Sequence, residues 1–362
     1  MRILRAFVLM PLLTAALVFA SQGALAGLLL PHDWDEKIER KFERDAPAEV
    51  VLWNNKLAAE DATTEDNNWK RNYWVCHSDT DDQYGACATK GAWKTPAGPT
   101  VKLRFTEVGS RATYSLELAA FKNTGAELQA LHGAMSTREV AWVKIDVRIP
   151  PSELKKLPSG GIWKAHLKLK QMQWETYKQV AKTEAEITLH VTDTKNVQIF
   201  LPEHNTTTPT VDLGLTGQVS RDGRTTGHRN IDMCLYDGFG SHSSWFDVTV
   251  KDDLPASQRV PGSFSVVRDG TSGQSTQERI DYGVTYLHNG QRNALNNGET
   301  VRLPGGNSAE VRSVYLPNIL VPVTCKPMPL MLETPEFNAK EKRAGSYTGK
   351  LKIIFSPSAQ SL

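Results

Sequence analysis

Hydrophobic and polar residues alternate with a period of two along most of the chain, which is the pattern of half-buried β-strands. Segments of this kind include TVKLRFTEV (100–108), AWVKIDVRIP (141–150), AEITLHVT (185–192) and SWFDVTVKD (244–252). Turn signals such as Asn289-Gly290 separate them. Many short strands with regular turns predict an all-β fold built from β-sandwiches.

Two segments are candidates for α-helices, DWDEKIERKFERD (33–45) and GAELQALHGAM (125–135). The last strand pattern of the sequence places Leu351, Ile353 and Phe355 on one face. No turn and no partner strand follow it. Because a strand needs a neighbour to pair its backbone groups, this segment raises the question of what lies beside it.

The first 26 residues have the composition of a secretory signal peptide. Arg2 and Arg5 precede an apolar stretch, and Ala24-Leu25-Ala26 is a small-residue cleavage site. An uncleaved anchor is the alternative, which Pro11 and the short apolar stretch disfavour. We therefore predict cleavage after Ala26 and an exported, soluble mature protein.

The composition is that of an ordinary globular protein, with 40% hydrophobic and 23% charged residues and a net charge of +2. This balance gives no electrostatic case for a nucleic-acid partner. Four cysteines in an oxidising compartment predict two disulfides with three possible connectivities, and their spacing favours Cys76–Cys87 and Cys234–Cys325.

The sequence favours neither a metal site nor a catalytic centre, and neither a metal nor a cofactor is predicted. The segment DTDDQYG (79–85) begins like a calcium loop, but Tyr84 replaces the required glycine. The sequence contains no HExxH, GxSxG or P-loop motif. A secreted β-sandwich carbohydrate-active enzyme stays open as an alternative, because several carboxylates are available although no spacing pairs them: Asp146, Glu175, Glu184 and Asp193.

Two polar segments are candidate domain junctions, TDTKN (192–196) and HNTTTPT (204–210). Tryptophan usage changes in the same region, since Trp245 is the one tryptophan of nine that follows residue 194. The two parts of the chain are therefore built differently.

A family resemblance rests on several blocks that occur in order along the chain. These blocks are LPSGGIWKAHLKL (157–169), NVQIFLP (196–202), NIDMCLYDG (230–238), LPNILVPVTC (316–325) and GKLKIIFSPSAQSL (349–362). The chain resembles the tip adhesins, or minor pilin initiators, of class 5 chaperone–usher fimbriae of the colonisation-factor and cable-pilus type. This resemblance implies two immunoglobulin-like β-sandwiches, an adhesin domain of 27–193 and a pilin domain of 197–362, joined by a linker of 194–196. A periplasmic pilus chaperone, also a two-sandwich protein, is a further alternative.

The resemblance also implies an answer for the last strand. In such fimbriae the pilin sandwich is incomplete, and a donor strand from the major pilin subunit completes it by β-augmentation. A periplasmic chaperone protects the open edge first, and an outer-membrane usher exports the assembled pilus to the cell surface. The expected groove is lined by six side chains: Val197, Ile199, Leu201, Leu351, Ile353 and Phe355. Leu362 is expected to anchor the chaperone through its carboxylate.

Family adhesins of this type bind a host-cell receptor through an arginine before the first cysteine and an arginine pair on a later strand. Arg71 matches the first position, whereas Gln173 and Trp174 occupy the positions of the pair. A cysteine pair of the family is also missing between residues 121 and 140. We therefore expect a different receptor, glycan or glycoprotein. Arg71 suits a carboxylate, as on sialic acid, while Trp69, Tyr73 and Trp174 suit stacking on sugar rings.

Overall fold

The computed structural model describes residues 27–63, 69–95, 101–125, 128–136, 140–204, 206–215, 222–255, 259–305 and 310–358. The predicted signal peptide (1–26) and Leu362 lie outside the described residues. The prediction of an all-β fold is confirmed, because strands dominate the described chain. Within those ranges, no helix is long and apolar enough to cross a membrane.

Ten strands and a short helix make up the first half of the chain. They are β1 (Leu28–Leu29), β2 (Trp34–Glu43), β3 (Val50–Asp61), β4 (Tyr73–Val75), β5 (Val101–Glu107), β6 (Thr113–Asn123), β7 (Leu128–Ala130), β8 (Trp142–Ile149), α1 (Pro151–Leu154), β9 (Gly161–Met172) and β10 (Gln179–Thr192). Single 3-10 turns lie at Trp69–Arg71 and Thr194–Asn196.

The second half contains shorter strands. They are β11 (Gln198–Phe200), β12 (Arg224–Thr225), β13 (His228–Ile231), β14 (Cys234–Tyr236), β15 (Trp245–Lys251), β16 (Phe264–Arg268), β17 (Arg279–His288), β18 (Gln291–Leu295), β19 (Thr300–Pro304), β20 (Arg312–Val314), β21 (Val323–Pro327), β22 (Leu330–Glu333), β23 (Phe337–Asn338), β24 (Tyr347–Thr348) and β25 (Lys352–Pro357). Further 3-10 turns lie at Thr276–Glu278 and Ala339–Glu341.

The strands of the first half follow the order β1-β3-β8-β6-β5-β9-β10-β2, with β4 beside β9 and β7 beside β6. The long strand β6 connects the two layers, because its residues 113–118 pair with β5 and its residues 119–123 pair with β8. Alternate side chains of both layers meet in one core, in which Trp53, Trp74 and Trp163 are buried. The early tryptophans thus serve mainly to fill this sandwich.

The prediction of a helix over residues 33–45 is wrong, because Trp34–Glu43 forms β2 and pairs in parallel with β10 along its whole length. Its apolar residues Trp34, Ile38 and Phe42 are spaced by four, a spacing that places side chains on one face in a helix and in a strand alike. The strand prevails because β10 offers a free edge, so tertiary pairing overrides the local helix propensity.

The second helical candidate, residues 125–135, is also wrong. Leu128–Ala130 forms β7, which pairs antiparallel with the end of β6, and a turn follows at Leu131 and His132. Lys122 on β6 is fully buried and donates from Nζ to the carbonyl oxygen of Gly133 at 2.9 Å. This contact holds the segment as a loop against the sheet.

The second half divides its strands among several small sheets. They have the orders β11-β14-β21-β20, β13-β22-β17-β16-β24 with β18 beside β17, β19-β15-β25, and β12-β23. Side chains of these sheets form a second core around Phe246, Phe264 and Leu330. A smaller cluster around Tyr236 and Leu316 surrounds the second disulfide.

The two disulfides join Cys76 to Cys87 and Cys234 to Cys325, with Cα–Cα distances of 5.3 and 5.7 Å. This is the pairing that the spacing favours. The first closes a short loop after β4, and the second links β14 to the neighbouring strand β21.

The two halves meet between the Gly160-Gly161 turn and the segment 237–242. The backbone N–H of Asp193 donates to the carbonyl oxygen of Gly238 at 2.8 Å. A Cβ atom at Gly160 would lie 1.9 Å from the same oxygen, so only glycine allows this approach. The division of the chain at residues 194–196 stays a prediction.

Candidate functional site

Four aromatic rings cluster at one end of the first half, and we call them the aromatic patch: Tyr73, Trp93, Trp174 and Tyr177. Trp174 lies at the centre, with its ring centroid 6.0 Å from that of Tyr73, 5.7 Å from that of Trp93 and 5.4 Å from that of Tyr177. Trp93 is 46% exposed and Tyr177 is 62% exposed. The patch therefore presents ring surface to solvent.

Three separate segments build this patch. Tyr73 on β4 lies opposite Met172 on β9, which brings it to the turn that carries Trp174 and Tyr177. The backbone of Trp93 is held in place by the neighbouring loop, because its carbonyl oxygen accepts from the N–H of Met135 at 2.6 Å. Tyr73 is buried beneath, and this burial raises the pKa of its phenol, with a smaller contribution from Tyr177.

Arg71 contacts the patch and is already paired. Its Nη1 donates to Oε1 of Glu175 at 2.7 Å, and its guanidinium carbon lies 5.8 Å from the ring centroid of Trp93. The Arg71 side chain is 35% exposed and that of Glu175 is 60% exposed. The charge that the sequence suggested for an anionic receptor group is thus compensated by a neighbouring carboxylate.

The turn between β9 and β10 has an unusual backbone. Glu175 and Tyr177 have φ angles of 74° and 51°, in the left-handed region that non-glycine residues rarely adopt. The N–H of Gln173 closes the turn by donating to the carbonyl oxygen of Lys178 at 2.9 Å. Strained backbone of this kind is concentrated at functional sites, where surrounding contacts hold it in place.

The other predicted receptor residues have different positions. The structure brings Arg71, Tyr73 and Trp174 together, but Trp69 packs against the main core of the first half. Gln173 is partly buried at the start of the turn. Sequence reasoning missed Trp93 and Tyr177. The signal that was present in the sequence is an aromatic residue next to exposed polar residues, as in GAWKT (91–95) and ETYK (175–178).

A second candidate site lies in the other half, where two strands end their sheets. β25 pairs with β15 on one side, and no strand of the described chain pairs with its other side. β11 pairs with β14 and likewise ends its sheet. Edge strands of this kind leave backbone N–H and C=O groups available for another strand.

Partly buried apolar side chains accompany these two edges. Five of the six predicted groove residues pack against the second core and keep part of their surface exposed: Ile199, Leu201, Leu351, Ile353 and Phe355. The ring of Phe355 stacks on that of Phe246, with centroids 5.9 Å apart. The sixth residue, Val197, lies instead at the junction of the halves, beside Gly238.

The carboxylates considered for an enzyme are engaged separately. Asp146 pairs with Arg148, Glu184 with His166 and Lys168, Asp193 with Arg44, and Glu175 with Arg71. A glycosidase needs two carboxyl groups that face each other across a cleft. These four are distributed over distinct ion pairs, an arrangement that serves structure. In the part of the chain that the structure describes, no group of three metal-ligating residues occurs.

Sequence comparisons identify relatives for both halves. The family of CfaE, a CFA/I fimbrial subunit, matches in two parts: its first domain matches residues 24–194, and its second domain matches residues 197–359. The CFA/I fimbrial subunit CfaE of Escherichia coli is 30% identical over 312 residues, which are 81% of this chain and 82% of the relative.

Solved structures give the same result. The chain is similar to CfaE, the adhesive subunit of CFA/I fimbria of enterotoxigenic Escherichia coli, with a TM-score of 0.77 and 26% identity over 92% of this chain and 95% of that one. It is also similar to a chain from a chaperone–tip adhesin complex of CFA/I fimbriae, with a TM-score of 0.69 and 26% identity over 92% and 99% of the two chains.

Proposed function

This chain belongs to the CfaE family of CFA/I fimbrial subunits, and from that membership we propose that it is a fimbrial tip adhesin that also initiates pilus assembly. The observation that carries the proposal is the pair of open strand edges, β11 and β25, lined by apolar side chains. An adhesin that starts a pilus must accept a strand from the next subunit, and these edges supply the backbone and side-chain surface for it.

Assembly proceeds by donor-strand complementation. A periplasmic chaperone first covers the groove, since an exposed apolar edge is prone to aggregation. The related CFA/I adhesin was solved in a complex described as chaperone and tip adhesin, which supports this partner. At the outer-membrane usher, a segment of the major pilin then replaces the chaperone. The adhesin thereby reaches the tip of a pilus on the cell surface.

Receptor binding takes place at the opposite half, through Arg71 and the aromatic patch. The exposed rings of Trp93 and Tyr177 supply apolar contact area, and Arg71 and Glu175 supply hydrogen-bonding groups at its border. The two functions are therefore separated along the chain. We infer no catalytic activity, because the relatives are adhesive subunits.

The proposal is tested with the full chain on fimbriated bacteria. A strain that carries its chaperone, usher and major pilin genes is expected to adhere to epithelial cells when the chain is present and to lose adhesion when the gene is deleted. Arg71→Ala is expected to reduce adhesion at least about tenfold without lowering fimbriation, because its guanidinium contacts the receptor site. Arg40→Ala, on the exposed face of β2, is the matched control. Undiminished adhesion and fimbriation after gene deletion would contradict the proposal.

A further inference from the structure

The composition of the aromatic patch indicates the chemical class of the receptor. We propose, on the basis of the adhesin function above, that the patch binds an uncharged sugar residue rather than a sialylated or sulfated one. The inference rests on three features: exposed rings, a compensated arginine and a turn whose shape is set before binding.

The rings provide a platform suited to a pyranose. One face of a pyranose ring carries several C–H groups and is apolar, while its rim carries hydroxyl groups. Trp93 and Tyr177 both contact the ring of Trp174, and the interplanar angles of 48° and 65° give a platform whose rings are tilted relative to one another. Rigid aromatic side chains provide contact area with little loss of conformational entropy.

Charge distinguishes between receptor classes at this platform. Among the described residues, Arg71 is the cation found over one of the four rings, and its charge is balanced by Glu175. The Glu175 carboxylate is the more exposed partner of this ion pair. An anion bound to the remaining N–H donors of Arg71 would therefore lie beside an exposed carboxylate of the same charge. A neutral sugar avoids this repulsion.

The same ion pair supplies what a neutral sugar needs. A guanidinium has five N–H donors, and one of them is occupied by Glu175, while the carboxylate retains further acceptor positions. Hydroxyl groups donate and accept, so the pair can hydrogen-bond them without losing its own contact. This arrangement matches a site with aromatic contact area and a few placed polar groups.

The turn fixes these groups before the sugar arrives. Glu175 and Tyr177 have left-handed backbone conformations within a six-residue turn that is closed by the Gln173–Lys178 hydrogen bond. Gly91 lets the neighbouring loop pass close over Tyr73, because a Cβ there would lie 2.4 Å from the tyrosine ring. Pre-arranged groups bind with a smaller entropic loss.

The test uses fimbriated bacteria that display the full chain. They are applied to immobilised neoglycoproteins bearing galactose, glucose, mannose, N-acetylglucosamine, N-acetylgalactosamine, fucose or sialyl-lactose, and to epithelial cells with and without sialidase treatment. We expect binding to at least one neutral sugar, none to sialyl-lactose, and adhesion that survives sialidase. Binding that depends on sialic acid overturns the inference. Adhesion to cells with no binding to any neutral sugar also overturns it but leaves the adhesin function standing, whereas absence of all adhesion refutes the adhesin function itself.

Variants locate the binding to the patch. Trp93→Ala and Tyr177→Ala are expected to weaken neutral-sugar binding at least about tenfold, while Tyr84→Ala, which removes a 41% exposed tyrosine elsewhere in the same half, should not. Glu175→Gln keeps the shape of the side chain but removes the negative charge that compensates Arg71. It should allow binding of sialyl-lactose, which the unchanged chain is expected to exclude. Equal loss in the Tyr84 variant, or a Glu175 variant that still excludes sialyl-lactose, would contradict the inference.

Discussion

The proposed groove beside β11 and β25 predicts that a donor strand stabilises this protein, and neighbouring isoleucines on β25 allow a controlled test. Ile353 packs against the second core, while Ile354, the next residue, points outward and is 47% exposed. Both lie in the same strand and pair with β15. We propose to fuse the N-terminal segment of the major pilin after Leu362 through a flexible linker, and to compare the fusion with the unfused chain.

The expected gain follows from the groove residues. Fully burying one aliphatic or phenylalanine side chain is worth roughly 1.5–3 kcal/mol, and since these are already partly buried, about 0.5–1 kcal/mol remains for each. The five groove residues, Ile353 included, together contribute about 3–5 kcal/mol to the free energy of unfolding. Burial of the donor's own side chains increases this gain, and the conformational entropy lost when the donor becomes ordered reduces it. At about 2–4 °C per kcal/mol for a domain of this size, the melting temperature should rise by roughly 6–20 °C.

The assay measures that rise by circular dichroism in three backgrounds: the unchanged chain, Ile353→Ala and Ile354→Ala. Comparing rises rather than absolute melting temperatures cancels the effect of each substitution on the unfused chain. The rise should shrink by about 1–4 °C in the Ile353 variant and stay unchanged in the Ile354 variant. A rise below about 2 °C in the unchanged chain, or equal losses in both variants, would refute the groove.

Three further predictions concern the first half and its junction. Burial raises the pKa of Glu107, but its contacts with His242 and Ser110 outweigh burial and hold that pKa below its usual value. The stabilisation by the Glu107 carboxylate is present above about pH 4.3, the pKa of an unperturbed glutamate, and is lost as the pH falls through the lower pKa of the folded state. Between pH 5 and pH 3 the melting temperature should therefore fall less for Glu107→Gln than for the unchanged chain. Residues 27–193 expressed alone should melt in one cooperative transition that reductant lowers, since this half has its own core and disulfide. Gly160→Ala should lower the melting temperature of the full chain more than that of the fragment, because the new Cβ would lie 1.9 Å from the Gly238 oxygen of the second half and 2.9 Å from the Val191 oxygen of the first.

Each of these has a clear contrary outcome. If the melting temperatures of the Glu107 variant and the unchanged chain fall equally between pH 5 and pH 3, the Glu107 carboxylate does not contribute to the acid dependence of stability. A fragment of 27–193 that is soluble only together with 197–362 would contradict the domain division. Equal destabilisation of the full chain and the fragment by Gly160→Ala would mean that the clash is not at the junction.

Much of this protein was predictable from local sequence. The period-two alternation identifies most strands, because successive side chains of a strand necessarily point to opposite faces. The same alternation selects Leu351, Ile353 and Phe355 as one face of the last strand, and these residues do pack on one core. Cysteine spacing favours the disulfides that the structure contains. These properties depend on residues near one another in the chain.

Tertiary structure alone decided the remaining features. β2 is a strand because β10 offers it an edge, although the two strands are far apart in sequence and β2 has charges typical of an exposed helix. The partner of Arg71 is Glu175, 104 residues away, so its compensated charge could not be read from its neighbours. Trp93 and Tyr177 join the patch only when three segments pack together. Such contacts depend on which chain segments share an edge or a turn, and no local pattern encodes that choice.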